Sequence, residues 1–142
     1  IKEKNFIRIK SLKVFAGTGE PQKAVMKLEV MGDIKEATES GDGPVDAIFK
    51  CIKKLYPHEV NLQLYNVHAV TEGTDAQATV SVRIEENGKT TVGQAANTDT
   101  LVASADAYLN ALNKLIIKRK KTAPEPMDLS GSKYIREKDG TI

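Results

Sequence analysis

Between Phe6 and Phe15 apolar and basic residues alternate. Phe6, Arg8 and Lys10 share one parity, Ile7 and Ile9 the other, and Leu12 and Val14 then flank Lys13. A period of two predicts a half-buried strand, and the change of parity near Ser11 predicts a bulge. After the turn residues Gly17-Thr18-Gly19-Glu20-Pro21, Ala24, Met26, Leu28 and Val30 mark a second strand with one apolar face. Gly32-Asp33 reads as the next turn, and Ile34 to Glu39 as a third, mostly polar strand. The period then changes. Val45, Ile48, Phe49, Ile52 and Leu55 follow the i, i+3, i+4, i+7 spacing of a helix with a buried stripe. Pro44 suits the first helical position, Asp42 reads as its cap, and Tyr56-Pro57 ends it.

The second half repeats this order. Val60 to Val70 is a long strand, Gly73-Thr74-Asp75 a turn, and Ala78 to Ile84 a strand with Ala78, Val80, Val82 and Ile84 on one face. Asn87-Gly88 is a strong hairpin signal, Thr90 to Ala96 a polar strand. A helix from about Asp99 to Arg119 carries the stripe Leu101, Ala105, Tyr108, Leu112 and Leu115. With an offset of about 55 residues, Met26, Leu28 and Val30 fall on Val80, Val82 and Ile84, and Gly32-Asp33 on Asn87-Gly88. The expected fold is therefore α+β: two pseudo-symmetric β-β-β-α units, about 5–57 and 60–119, in one domain spanning 1–121. Each sheet hides one face under its helix, and a domain-paired dimer covers what remains. Residues 122–142, opening with Thr122-Ala123-Pro124-Glu125-Pro126, have no periodicity and read as a C-terminal tail.

Composition narrows the function. At 142 residues the chain is short of the roughly 200 that a complete barrel enzyme needs. A net charge of +2 gives no reason to expect a nucleic-acid or membrane partner, and the basic run Lys118-Arg119-Lys120-Lys121 suits a helix C-terminus. Cys51 is the single cysteine, so no disulfide forms within the chain. There is no signal-peptide pattern and no 18-residue apolar run, and a cytoplasmic protein is expected. A start at Ile1 without an initiator methionine reads as part of something longer. The two histidines, His58 and His68, have no ligand spacing and predict no metal site. His58 reads as a surface residue behind Pro57, and His68 as facing one side of a sheet. Neither a nucleophile turn nor a phosphate-binding glycine loop is present, so this chain itself is expected to carry no catalytic residues.

What remains is binding. Two helix starts in one small domain present unpaired N–H groups and the positive end of a dipole, which suits a small zwitterionic or anionic ligand. Asp42 and either Thr98 or Asp99 are explained by capping. Asp46, in the first turn, could receive an ammonium group. Tyr65 interrupts the apolar pattern of its strand.

Three ordered segments resemble a known family. They are Gly41-Asp42-Gly43-Pro44-Val45-Asp46-Ala47, Val67-His68-Ala69-Val70-Thr71-Glu72-Gly73-Thr74-Asp75-Ala76-Gln77-Ala78, and Thr98-Asp99-Thr100-Leu101-Val102-Ala103-Ser104-Ala105. Together they resemble the C-terminal regulatory domain shared by 2-isopropylmalate synthases and citramalate synthases, over about Phe6 to Lys118. The resemblance implies a dimerising allosteric domain that binds the end-product amino acid. It would act on an acyltransferase barrel of the same chain, which uses a divalent metal and acetyl-CoA. By motif, the effector site would comprise Val45, Asp46, Leu62, Tyr65, Ala69, Ala76, Thr98 and Thr100. The expected effector is leucine, with feedback inhibition of leucine biosynthesis. The alternatives are an isoleucine-binding domain of a citramalate synthase, and a dimerisation module without ligand.

Overall fold

A computed structural model of the chain describes residues 6–69 and 77–122. Ala76, Val70 and everything beyond Thr122, including most of the expected tail, lie outside the described residues. Eight elements are found among those described: β1 (Ile7–Phe15), β2 (Gln22–Val30), β3 (Asp33–Gly41), α1 (Pro44–Leu55), β4 (Asn61–Ala69), β5 (Ala78–Glu86), β6 (Lys89–Asn97) and α2 (Thr100–Thr122). They form two antiparallel sheets, β1-β2-β3 and β4-β5-β6, each followed by its helix. This is the expected α+β arrangement of two β-β-β-α units.

The duplication is more regular than the sequence alone reveals. Gln22, Asp33 and Pro44 recur as Ala78, Lys89 and Thr100, a constant offset of 56 residues. The counterparts of Val80, Val82 and Ile84 are therefore Ala24, Met26 and Leu28, two residues earlier than the pattern predicts. The first strands also share their irregularity, with register shifts between Ile9 and Ser11 in β1 and between Leu62 and Leu64 in β4. The first hairpin turns on Met31-Gly32 rather than Gly32-Asp33, because Val30 pairs with Asp33. Met31 and Gly32 both have positive φ (51° and 94°), as do Asn87 and Gly88 (52° and 82°). A two-residue loop needs that geometry at both central positions to match the strand twist. Methionine accepts the left-handed conformation here because the buried faces on either side fix the register.

Each helix covers the second and third strands of its own sheet. From α1 the side chains of Ala47, Ile48, Cys51, Ile52 and Leu55 go to the core. The helix ends at Tyr56, as expected, but its start differs. Gly43 is the N-cap and no side chain caps it. Asp42 instead gives its backbone N–H to Asp46 Oδ2 at 2.9 Å.

By contrast α2 is buried on most of its circumference, with Ala103, Ala105, Ala107, Leu109, Ala111, Leu112 and Leu115 all in the core. It packs on β5 and β6, and also touches α1 and β1. Its small residues admit β6 closely enough that a Cβ at Gly93 would collide with the Ala107 carbonyl and the Ala111 nitrogen. On the outer side, Asn110, Lys114 and Lys118 donate at 2.8 Å to the carbonyls of Gln94, Val92 and Thr90. Spaced four apart on the helix, these side chains follow alternate residues of the strand and close the β6 edge. The two units are joined by Asn113. Its amide accepts the Ile7 N–H and donates to the Ile7 carbonyl, both at 3.0 Å, so α2 holds the first strand of the other unit.

Candidate functional site

The region the sequence singles out gathers around β4. Leu62, Tyr65 and Val67 lie opposite Ile84, Val82 and Val80 of β5, so they share the helix-facing side of the sheet. Val80, Val82 and Ile84 are sealed under α2, whereas Leu62 is 47% and Val67 41% exposed. The difference follows from where the helices lie, since both pack on other strands. The inner face of β4 is therefore left without a roof. Leu64, on the opposite face, is exposed as well.

Tyr65 crosses that gap. Its ring meets Phe49 of α1 edge-on, with centroids 5.9 Å apart, and Phe49 in turn lies 4.5 Å from Tyr108 of α2. The Tyr65 hydroxyl reaches Ser104 Oγ of α2 at 2.7 Å. Ser104 is fully buried and donates to the Thr100 carbonyl at 2.8 Å. With its hydrogen committed there, Ser104 accepts from Tyr65. One side chain of β4 is thus anchored to both helices, with the half-buried Val45 one turn before Phe49 on α1. Of the eight residues expected at the site, Leu62 and Tyr65 lie on this face, Val45 sits one turn before Phe49 on α1, and Thr100 one turn before Ser104 on α2. Ala69 closes β4 opposite Ala78, and Ala76 is outside the described residues. Thr98 is exposed before α2. Phe49 and Ser104 were read only as a stripe residue and a helix residue. No local signal distinguishes them, because their partner is on a distant strand.

The two helix starts differ in how their N–H groups are used. At α2, Asp99 is the cap: its carboxylate accepts from the N–H groups of Leu101 at 2.9 Å and Val102 at 3.4 Å. Those donors are consumed. At α1 no side chain caps the start. Asp46 is already engaged, with the Asp42 N–H and with Lys50 Nζ at 3.2 Å. The Asp42 hydrogen bond is the chief reason its carboxyl titrates below the ordinary range. The half-buried Asp106 of α2 differs, having no partner among the described residues, and burial raises its pKa.

His58 is not a surface residue. It is 7% exposed, donates from Nδ1 to the Tyr56 carbonyl, and is bonded through Nε2 to the Tyr108 hydroxyl at 2.9 Å. The carbonyl can only accept, so Nε2 is the bare nitrogen and takes the Tyr108 proton. Burial lowers the His58 pKa and pushes that of Tyr108 up to about 12. The chain continues through Tyr56, whose hydroxyl accepts from Arg119 at 3.2 Å, to a two-point ion pair between Arg119 and Glu86. This is a structural seam beneath the aromatic cluster. His68 lies exposed on the outer face, near Asn66.

Among the described residues no three His, Cys, Asp or Glu side chains converge on a metal-sized site. No helix there is long and apolar enough to cross a membrane. A separate open depression of about 730 Å³ lies at the far end of the first sheet, lined by Phe15, Glu20, Lys23 and Ser40 among others.

Comparison with known proteins gives a consistent result. Residues 1–116 match the family described as the LeuA allosteric (dimerisation) domain. The 2-isopropylmalate synthase of Bradyrhizobium diazoefficiens is 60% identical over 115 residues, covering 81% of this chain and 22% of that protein. Its namesake from Caulobacter sp. (strain K31) is 56% identical over 125 residues, 88% of this chain and 24% of the relative. A third, from Rhodopseudomonas palustris (strain BisB5), is 57% identical over 117 residues, 82% and 22% of the two chains. The chain thus spans less than a quarter of the length of these relatives.

Proposed function

The chain belongs to the family of the LeuA allosteric (dimerisation) domain, and from that premise we propose that it binds L-leucine. On this reading it is the leucine-binding part through which a cytoplasmic 2-isopropylmalate synthase is feedback-inhibited. The divalent metal, the acetyl-CoA and the condensation itself belong to the catalytic barrel of such an enzyme.

The observation that carries the reading is the roofless inner face of β4, with Tyr65 standing in it between two helices. An aliphatic amino acid needs an apolar slot beside polar groups for its two charged ends. Leu62, Val67 and Val45 supply apolar walls, and covering a leucine side chain there is worth about 2 kcal/mol. The open N–H groups at the start of α1 suit the carboxylate better than those of α2, which Asp99 occupies. The Thr100 region completes the polar side, and Asp46 can turn to the ammonium only by giving up Lys50. The same uncovered surface suits a second copy of the chain. From Asn61 to Ala69, β4 contains no charged residue, unlike β1 and β3, which carry lysines. An uncharged edge with exposed Leu62, Leu64 and Val67 invites pairing.

Isothermal titration of the 142-residue chain with L-leucine and L-isoleucine tests this. Tighter binding of leucine is expected. A clear preference for isoleucine would move the parent to a citramalate synthase. Dimerisation with no response to either amino acid would leave a pure dimerisation module.

A further inference from the structure

Among the described side chains of β4, Tyr65 reaches both helices, through Phe49 and Ser104. Ser104 is a buried hydroxyl, flanked along the helix by the buried Ala103 and Ala105. Serine is a mediocre helix former, and alanine at that position would favour the helix. Its two hydrogen bonds, to Tyr65 and to Thr100, account for its presence. Phe49 meets the Tyr65 ring at an interplanar angle of 82°, the edge-to-face geometry that resists sliding. Two contacts of different kinds, from two helices of different units, therefore fix one ring on the uncovered face of β4 between the exposed Leu62 and Val67.

From this we infer that Ser104 and Phe49 are positioning residues that latch Tyr65 as the dividing wall of the effector cleft, and that this latch sets which branched aliphatic side chain fits. The inference rests on the leucine-binding reading above. With Tyr65 held, the space beside it ends at the ring, and a side chain branched at Cγ and one branched at Cβ meet that wall differently. Without the latch the ring regains rotamer freedom, which an entering ligand must freeze again. Removal should therefore cost affinity and, more tellingly, discrimination. A residue that only stabilised the fold would change neither ratio.

The experiment compares the wild-type 142-residue chain with Ser104→Ala, Tyr65→Phe and the double variant, titrating leucine, isoleucine and valine calorimetrically. Thermal unfolding of each variant is recorded in parallel. Ser104→Ala should weaken leucine binding by about threefold to tenfold, the cost of freezing a freed side chain again on binding, and narrow the leucine-to-isoleucine affinity ratio. Tyr65→Phe should do the same, and the double variant should be no worse than either, since both remove one interaction. Phe49→Leu, which keeps the apolar contact but loses the ring edge, should narrow the ratio as well. Wild-type binding that Ser104→Ala leaves unchanged in affinity and in ratio would overturn the latch while leaving the leucine reading intact. Additive losses in the double variant would also overturn it, because the two groups would then act separately. Failure of the wild type to bind any branched-chain amino acid would overturn both readings together.

Discussion

Asn113 stands in the middle of a helix, where asparagine is unfavourable, and it is 6% exposed. It is tolerated because Ile7, 106 positions away, has a backbone N–H and C=O with no strand beside them. Asn113→Leu keeps the branched shape of the side chain and orphans both groups. The expected cost is about 2–4 kcal/mol, read as a lower urea midpoint with an unchanged slope. His58 poses a similar question through protonation. Its pKa is lowered first by burial and further by Lys53 and Arg119, with the Tyr56 carbonyl and Glu86 acting in the other direction. The neutral ring is thus the form the fold accepts, and it is the unfolded chain that binds the extra proton on acidification. Stability from this site is complete above the unfolded value of about 6.5 and is lost as pH falls from there through the lower folded value. Melting temperature should decline across that window, and His58→Gln should flatten the decline. A melting curve indifferent to His58 between pH 7 and 5 would show that the ring is not sealed.

At the level of elements, strands and helices were legible because period two and period 3.6 alternate cleanly along the chain. Even the bulge at Ser11 shows as a parity change. What was not legible lies between elements. Asp42 does not cap α1 because Gly43 holds the N-cap position before Pro44, and Asp46 reaches back to accept the Asp42 N–H. The Met31 turn was missed because methionine carries no turn signal, and register forced it there. Pro57 marks the end of α1 correctly, but not that the chain then runs beneath Tyr108 and buries His58. Within the candidate site, Tyr65 could be noticed for breaking a pattern, whereas Phe49 and Ser104 conform to theirs. The contact between β6 and α2 is equally invisible locally, since Gly93 looks like any weak strand glycine. Its role is close approach, and Gly93→Ala would push β6 off the backbone of α2. Overpacking of this kind costs about 3 kcal/mol, and here it also strains the Asn110, Lys114 and Lys118 bonds. Thermal denaturation would show it as a large drop in midpoint. The matching change Ala37→Gly in the first unit should cost less, because α1 already accommodates a Cβ there.

On the scale of the molecule, the two units use their outer strands unequally. The edge of β6 is closed by α2, and one end of β1 is clamped by Asn113 and guarded by Lys10 and Lys13. In β4 no charge guards the edge and no helix covers the inner face. A surface of this kind on a domain of this size is stable in solution only when something covers it. A second copy is the economical cover, since a two-fold axis lets each β4 shield the other. Val67 tests that arrangement with little cost to the folded monomer, because its side chain is already 41% exposed. Val67→Lys places an ammonium group where a dimer would have to desolvate it, at a cost of several kcal/mol. Dimer dissociation should rise by about a hundredfold or more, seen as a monomer in sedimentation velocity at concentrations where the wild type is dimeric. Far-ultraviolet circular dichroism should be unchanged. A variant that stays dimeric would place the interface away from β4.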